Sequence, residues 1–149
     1  ARAEVELNFD WAGKTVGILG LAFKQDTNDI RNSAALGVAE FLLSRGVGRI
    51  KAYDPVTGAN FMKYFSSHEN ANKIILATDE AGAISEVDVL IIATDWPQFR
   101  GLGGLILEKL PNGALIMDGR RMLAQNYEEL KQTGYNIIAV GSPLIKAEK

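Results

Sequence analysis

The polar segment after the first apolar run of the sequence carries two cations that could bind an anion. Lys24 can meet an anion as a point charge, and Arg31 can donate two parallel hydrogen bonds. Ser33 and the backbone amides that open the next predicted helix could add donors, assisted by the helix dipole. These residue types are compatible with an anion site. Lys24 and Arg31 could equally pair with the neighbouring Asp26 and Asp29 on a solvated loop.

Two glycines precede this segment, and their spacing resembles the beginning of a dinucleotide-binding fingerprint. Gly17 and Gly20 flank an apolar pair, but no third glycine follows at the required spacing. The residues after Gly20 are also too many and too charged for a tight phosphate turn. The glycine pattern alone therefore does not predict that this chain grips a dinucleotide.

A second cationic segment follows a later apolar run, at Asp118, Gly119, Arg120 and Arg121. A glycine permits a sharp turn, and an arginine beside it can swing its guanidinium across the edge of a sheet. Taken by themselves, these four residues favour the simpler interpretation, a turn with two solvent-exposed arginines.

Three further candidates have structural interpretations that we favour over functional ones. Asp54 stands where a dinucleotide-binding domain would place the acidic residue that holds a ribose, but it could simply end a strand. Asp95, followed by Trp96 and Pro97, is expected to cap a helix. His68 has no cysteine or second histidine to join it and is expected at the surface. The sequence contains no evident Ser-His-Asp, paired-carboxylate or metal-ligand constellation, which is typical of a binding domain.

Composition restricts the class of protein further. The chain has 149 residues, of which 47% are hydrophobic and 23% charged, as expected for one globular domain with a substantial core. Its net charge of -2 does not favour a nucleic-acid partner. It has no cysteine, which excludes disulfides, thiolate metal sites and a cysteine nucleophile within these residues. The absence of cysteine fits a cytoplasmic protein, which we expect. No apolar run approaches the roughly 20 residues of a membrane helix, so we expect no membrane partner.

Short apolar strands alternate with helical patterns along most of the chain. The run at 87–94 is the most apolar, as expected for a central parallel strand covered on both faces. Such alternation predicts an α/β fold, a Rossmann-like three-layer sandwich with an open, mainly parallel sheet of about six strands. The predicted strands lie at 15–20, 49–53, 73–77, 87–94, 114–117 and 136–140. The predicted helices lie at 33–44, around 61–65 within the stretch 59–72, and at 79–85, 102–110 and 127–132.

The fold class predicts where a ligand would bind. In an open parallel sheet, ligands lie beyond the carboxyl ends of the strands, near the point where strand order reverses. The loops expected at such ends are 21–32, 54–58, 95–100 and 118–123, and each begins with polar residues after an apolar strand. Both cationic segments are among them.

Several separated motifs, in order, resemble the UDP-glucose/GDP-mannose dehydrogenase family. Together they cover nearly the whole chain from Lys14 to Gly141 and correspond to the C-terminal UDP-binding domain. Their residues are more similar to those of the UDP-glucose enzymes than to those of the GDP-mannose enzymes. The motifs are GILGLAFK at 17–24, DTNDIRNS at 26–33, YDP at 53–55, TDW at 94–96, Phe99, DGR at 118–120, and Gly134-Tyr135 with Gly141.

This resemblance implies roles for four residues and a division of the chain. Phe23, Lys24 and Arg120 match positions that contact a UDP-sugar, and Arg31 matches an arginine that approaches NAD across the domain cleft. Residues 14–149 would form the UDP-sugar-binding Rossmann-like domain. Residues 1–13 would be a helical tail continuing from an upstream domain that this chain lacks.

The family oxidises the C6 alcohol of a nucleotide sugar to a carboxylate in two hydride transfers, through a thiohemiacetal on a cysteine. The resemblance implies that this cysteine and the main NAD site lie in upstream NAD-binding and central helical domains, so the isolated chain is expected to be inactive. It also implies a homo-oligomeric whole enzyme. Two alternatives stay open: another sugar, such as UDP-N-acetylmannosamine, or a stand-alone nucleotide-binding module without a catalytic role.

Overall fold

A computed structural model describes residues 7, 9–21, 34–56, 58–139, 141 and 143–148 of the chain. Within these residues, strands and helices alternate as the hydrophobic pattern predicts. The strands are β1 (Thr15–Leu19), β2 (Arg49–Tyr53), β3 (Ile74–Leu76), β4 (Val89–Ile92), β5 (Leu115–Asp118) and β6 (Asn136–Ala139). The α-helices are α1 (Ala34–Ser44), α2 (Gly58–Phe65), α3 (Glu80–Ile84), α4 (Gly103–Lys109) and α5 (Tyr127–Thr133).

The six strands form one open sheet in the order β3-β2-β1-β4-β5-β6. Every neighbouring pair in this order is parallel, and Val16 of β1 lies between Ile50 of β2 and Val89 of β4. Parallel neighbours need crossover connections, which the helices supply. The predicted Rossmann-like fold is confirmed.

Alternate residues of the central strands enter two separate cores, one on each face of the sheet. Val16 and Ile18 belong to the core that α1 and α2 cover, whereas Leu19 belongs to the core that α3, α4 and α5 cover. Trp11, before the first strand, is 2% exposed and joins the α1 side. Burial of both faces explains why strands such as β4 are continuously apolar.

The structure also contains short elements that the hydrophobic periodicity does not specify. Three 3₁₀ helices occupy Ala71–Lys73, Pro97–Gly101 and Ala124–Asn126. Beyond β6, Ile145 forms an isolated antiparallel bridge with Ile137 and so lies along that edge of the sheet. In the part of the chain described here, no helix has the length and apolarity needed to cross a membrane.

Candidate functional site

The strand order reverses between β1 and β4, which are neighbours in the sheet although β2 and β3 separate them in sequence. From β1 the chain proceeds toward β2, and from β4 it proceeds toward β5 on the other side. The connections therefore diverge beyond the carboxyl ends of these two strands, which is where a ligand crevice forms in such folds. Gly20 and Leu21 follow β1 at this point, and Ala93 and Thr94 follow β4.

The loop after β5 is organised around the carboxylate of Asp118. This side chain is fully buried, with 0% of its surface exposed. Its Oδ1 accepts from the amide of Met122 at 2.9 Å, and its Oδ2 accepts from the amide of Leu123 at 2.8 Å and from the Tyr127 hydroxyl at 2.8 Å. A buried carboxylate is tolerated only with such donors. They fix the course of the chain from 118 to 123.

Arg120 is exposed, but its side chain is held at the end of the neighbouring strand. Its Nε donates to the carbonyl oxygen of Ala93 at 3.3 Å. Gly119 makes this approach possible, because its amide donates to the Ile92 carbonyl at 3.0 Å and a Cβ there would lie 3.0 Å from the same oxygen. The Asp-Gly turn with exposed arginines is thus present, and it places Arg120 beside the point of strand reversal.

Arg121 points to a different partner. Its backbone has φ of 54°, in the left-handed region that non-glycine residues seldom adopt, and its guanidinium carbon lies 5.6 Å from the centre of the Tyr127 ring. Burial, and then the hydrogen bond to Asp118, raise the pKa of Tyr127 well above its usual value. The phenol therefore stays protonated and keeps donating to the Asp118 carboxylate.

Asp54 connects three loops at the carboxyl edge of the sheet. It is 6% exposed. Its Oδ2 accepts from the amide of Leu21 at 2.8 Å and from the indole Nε1 of Trp96 at 3.0 Å, and its Oδ1 accepts from the amide of Val56 at 2.8 Å. The interpretation of Asp54 as a plain strand-ending residue, favoured from the sequence, understates this role. Two of its partners, Leu21 and Trp96, lie 33 and 42 residues away in sequence, so no local pattern could have revealed them.

The two glycines whose spacing resembles the start of a dinucleotide-binding fingerprint, Gly17 and Gly20, have structural roles. A Cβ on Gly17 would lie 2.0 Å from the carbonyl oxygen of Ala83, so this glycine allows α3 to approach β1 closely. Gly20 has φ of +94° and turns the chain at the end of β1, where its amide donates to the Tyr53 carbonyl at 2.8 Å. Both glycines therefore serve contacts within the protein, and neither contact is typical of a phosphate-binding turn.

The other sequence-based candidates have structural roles or lie outside the described residues. No side chain caps the 3₁₀ helix that follows Trp96, so the expected cap at Asp95 is wrong; the indole binds Asp54 instead. His68 is half-buried, and its Nδ1 accepts from the amide of Asn70 at 3.0 Å. The candidates outside the described residues are Phe23, Lys24, Asp26, Asp29, Arg31 and Ser33.

Other hollows formed by the described residues differ in the charge of their lining. One of about 170 Å³ is lined by Arg100 and Arg121 together with uncharged residues. A cavity of about 370 Å³ between α1 and the sheet is lined by Trp11, Val38, Phe41, Met117 and other uncharged residues. No group of three or more potential metal ligands occurs in the described part of the chain. We take the strand reversal as the candidate site because a ligand crevice is expected there and Arg120 is held beside it.

Comparisons with known proteins show which family this chain is similar to. The family described as "UDP-glucose/GDP-mannose dehydrogenase family, UDP binding domain" matches residues 17–125. A UDP-glucose 6-dehydrogenase of Rickettsia conorii is 35% identical over 138 residues, covering 93% of this chain and 30% of the relative. The UDP-glucose 6-dehydrogenase TuaD of Bacillus subtilis is 31% identical over 134 residues, covering 90% of this chain and 27% of that protein.

Solved structures show the same fold. A UDP-glucose dehydrogenase from Pyrobaculum islandicum superposes with a TM-score of 0.61 at 33% identity, covering 80% of this chain and 24% of that one. A UDP-D-ManNAc dehydrogenase from Pyrococcus horikoshii superposes with a TM-score of 0.67 over 94% of this chain and 28% of that one, and at 23% identity it shares the fold alone. The chain thus spans less than a third of the length of these proteins.

Proposed function

Because this chain belongs to the UDP-glucose/GDP-mannose dehydrogenase family and corresponds to its UDP-binding domain, we propose that it holds the diphosphate of a UDP-sugar at the carboxyl edge of the sheet. The ligand would lie beyond the ends of β1 and β4. Arg120 would bind it from one side, and Phe23 and Lys24 from the other. The relatives named UDP-glucose 6-dehydrogenase make UDP-glucose the sugar nucleotide that we propose.

The position of Arg120 carries this proposal. The contact between its Nε and the Ala93 carbonyl uses one of five N–H donors, and the remaining four belong to the two terminal nitrogens. Those nitrogens are the pair that meets two phosphate oxygens at once. Among the described residues, no carboxylate forms an ion pair with Arg120, because the buried Asp118 beside it is occupied by Met122, Leu123 and Tyr127.

The second wall of the proposed site is supported by the course of the chain. Leu21 follows β1 at the strand reversal, and Asp54 holds its amide at 2.8 Å. Phe23 and Lys24 come two and three residues later in sequence. A lysine from the chain after β1 and an arginine from the loop after β5, on either side of β4, would neutralise a diphosphate, and the phenylalanine ring would add apolar contact.

The residues that the structure describes do not form a dinucleotide-binding site of their own. Gly17 is committed to the contact with Ala83, and the Asp54 oxygens accept from three donors, so neither is available to a pyrophosphate or a ribose. NAD, the proposed cofactor, would supply the hydride acceptor from a site in the remainder of the enzyme. This chain would reach it only through Arg31.

The whole protein is proposed to be an NAD-dependent nucleotide-sugar 6-dehydrogenase, cytoplasmic and homo-oligomeric, with upstream NAD-binding and central helical domains. Residues 14–149 would form the UDP-sugar domain, and 1–13 would lead into it. Since the chain has no cysteine, it cannot itself form a thiohemiacetal. Its contribution would be the affinity and orientation of the substrate.

Calorimetric or NMR titration of this chain with UDP tests the proposal. We expect weak but saturable binding, because only one wall of the cleft is present. Lys24→Ala and Arg120→Ala should each weaken binding by about tenfold or more, the loss expected for one charge-assisted hydrogen-bonding group. Arg49→Ala is the matched control, since it removes the same charge from an exposed residue at the amino end of β2.

Two results would contradict the assignment. Absence of saturable UDP binding at millimolar concentrations would remove the proposed function of the chain. Binding that is equally strong in the wild type, Lys24→Ala and Arg120→Ala would leave the function but place the ligand elsewhere.

A further inference from the structure

We propose that Asp54 is a positioning residue for the ligand: by tying Leu21 at the end of β1 to Trp96 in the loop after β4, it holds the exit of β1 beside the loop that Arg120 contacts. This inference rests on the proposed function. It concerns a side chain that would not touch the ligand and that the fold does not need for its hydrophobic core.

The hydrogen bonds of Asp54 define a path across the strand reversal. Its Oδ2 joins the Leu21 amide, two residues before Phe23, to the indole of Trp96. Trp96 in turn lies on the loop whose first residue, Ala93, accepts from Arg120 Nε. One carboxylate oxygen thus connects the exit of β1 with the loop against which the arginine is held.

Burial makes this connection rigid. Asp54 is 6% exposed and Trp96 is also 6% exposed, so water has little access to replace either hydrogen bond. The third donor, the Val56 amide, fixes the other oxygen and thereby the rotation of the carboxylate. The carboxylate of Asp54 thus accepts from donors on three loops. A shift of any of these loops would leave a buried polar group without its hydrogen-bond partner.

The same geometry excludes the role that the dinucleotide-binding fold would suggest for this residue. A ribose diol needs free carboxylate oxygens, and both oxygens of Asp54 already accept from protein donors. The acidic residue at the end of β2 therefore acts on the loops of this domain.

Two substitutions of Asp54 separate positioning from charge. Asp54→Ala and Asp54→Asn both remove the negative charge, but asparagine keeps an oxygen that can take the place of Oδ2 and accept from Leu21 and Trp96. Its amide nitrogen cannot accept from Val56, so asparagine loses only the contact within the loop after β2 and keeps the two that join the loops. If the carboxylate acts by its charge, both variants change UDP binding equally. If it acts by joining the loops, asparagine restores most of the binding that alanine loses.

A control variant separates positioning from general stability. Tyr135→Phe removes a buried hydrogen bond, from the Tyr135 hydroxyl to the Leu110 carbonyl at 2.7 Å, between α4 and β6 rather than at the carboxyl edge. It should lower the melting temperature without altering UDP binding. Trp96→Phe removes one donor from Asp54 while leaving its charge and the Leu21 contact in place.

The measurement is the UDP dissociation constant of each variant, together with its melting temperature. We expect a rise of about tenfold or more for Asp54→Ala, a rise within about threefold for Asp54→Asn and Trp96→Phe, and no change for Tyr135→Phe. Equal binding by Asp54→Ala and wild type would overturn the inference, as would equal losses in Asp54→Ala and Asp54→Asn.

A second readout covers the remaining outcomes. If Asp54→Ala does not fold, or if the wild type does not bind UDP, the backbone amide shifts of Trp96→Phe decide. Shifts that extend to residues 22–24 and to Arg120 support positioning, whereas shifts confined to the neighbours of Trp96 refute it. A wild type that fails to bind UDP overturns the proposed function separately.

Discussion

Replacing Asp118 by alanine should remove a large part of the folding free energy and release the turn that carries Arg120. The carboxylate has no exposed surface and accepts from the Met122 and Leu123 amides and from the Tyr127 hydroxyl, all at 2.8 to 2.9 Å. Alanine offers none of these donors an acceptor. The side chain therefore holds the turn through three hydrogen bonds that bulk water does not replace.

The magnitude follows from the number of donors left without a partner. Each buried donor that loses its acceptor costs about 1–3 kcal/mol. Three of them would cost about 3–9 kcal/mol, but the buried charge also disappears, and water can enter the space left by the side chain. We therefore expect a loss of about 3–5 kcal/mol, out of a total of roughly 5–15 kcal/mol for a domain.

Urea denaturation followed by tryptophan fluorescence and circular dichroism measures this loss, and a double-mutant cycle assigns it. Tyr127→Phe removes one donor and should cost about 1–2 kcal/mol in the wild type. In the Asp118→Ala background the phenol has already lost its acceptor, so the same change should cost about 1 kcal/mol less. A loss below about 1 kcal/mol for Asp118→Ala, or strictly additive effects, would refute the argument.

Two further predictions concern glycines and tyrosines. Gly17→Ala should destabilise the domain by about 1–3 kcal/mol in urea because a Cβ there would meet the Ala83 carbonyl at 2.0 Å, whereas Gly37→Ala within α1, where nothing lies within 4 Å, should stabilise it by about 0.5–1 kcal/mol. If both substitutions changed the free energy of unfolding in the same direction, the packing argument would be contradicted. Burial raises the pKa of Tyr127 and Tyr135 above the ordinary 10.0, so in the folded protein each should ionise at a higher pH than a free tyrosine, as followed at 295 nm. Their stabilising contribution is complete below pH 10.0, the unfolded value, and is lost as pH rises through the higher folded values; normal titration of both in the folded protein would refute this.

The fold could be predicted because its signals are local. Strands such as Val89–Ile92 are continuously apolar, and helices such as Glu80–Ile84 begin after a capping residue, Asp79, whose side chain accepts from the Gly82 amide at 2.8 Å. Each signal is contained within a few consecutive residues. The 3₁₀ helix at Pro97–Gly101 was missed because a single turn has no periodicity to detect.

The supports of the candidate site could not be predicted, because their signals are not local. Asp54 accepts from Leu21 and Trp96, which are 33 and 42 residues away in sequence. In the sequence it is one more aspartate before a proline, indistinguishable from a turn residue. Arg120 was a candidate from its type and position, but its contact with Ala93 depends on the register between β4 and β5.

The two sides of the strand reversal, β1 with β2 and β4 with β5, differ in what their loops can offer a ligand. Two positions at β1 and β2 that would receive a pyrophosphate and a ribose are occupied by internal contacts: Gly17 meets α3, and Asp54 binds three loops. On the other side, the buried Asp118 holds a turn from which Arg120 extends over the end of β4. With the β1–β2 positions closed, Arg120 of the β5 loop is a cationic group placed beside the strand reversal, where it could meet an anion. A diphosphate bound there would contact Arg120 and the chain that follows β1. Asp54 and Asp118 would not contact the diphosphate, but substitutions of either residue should weaken diphosphate binding because they support these two places.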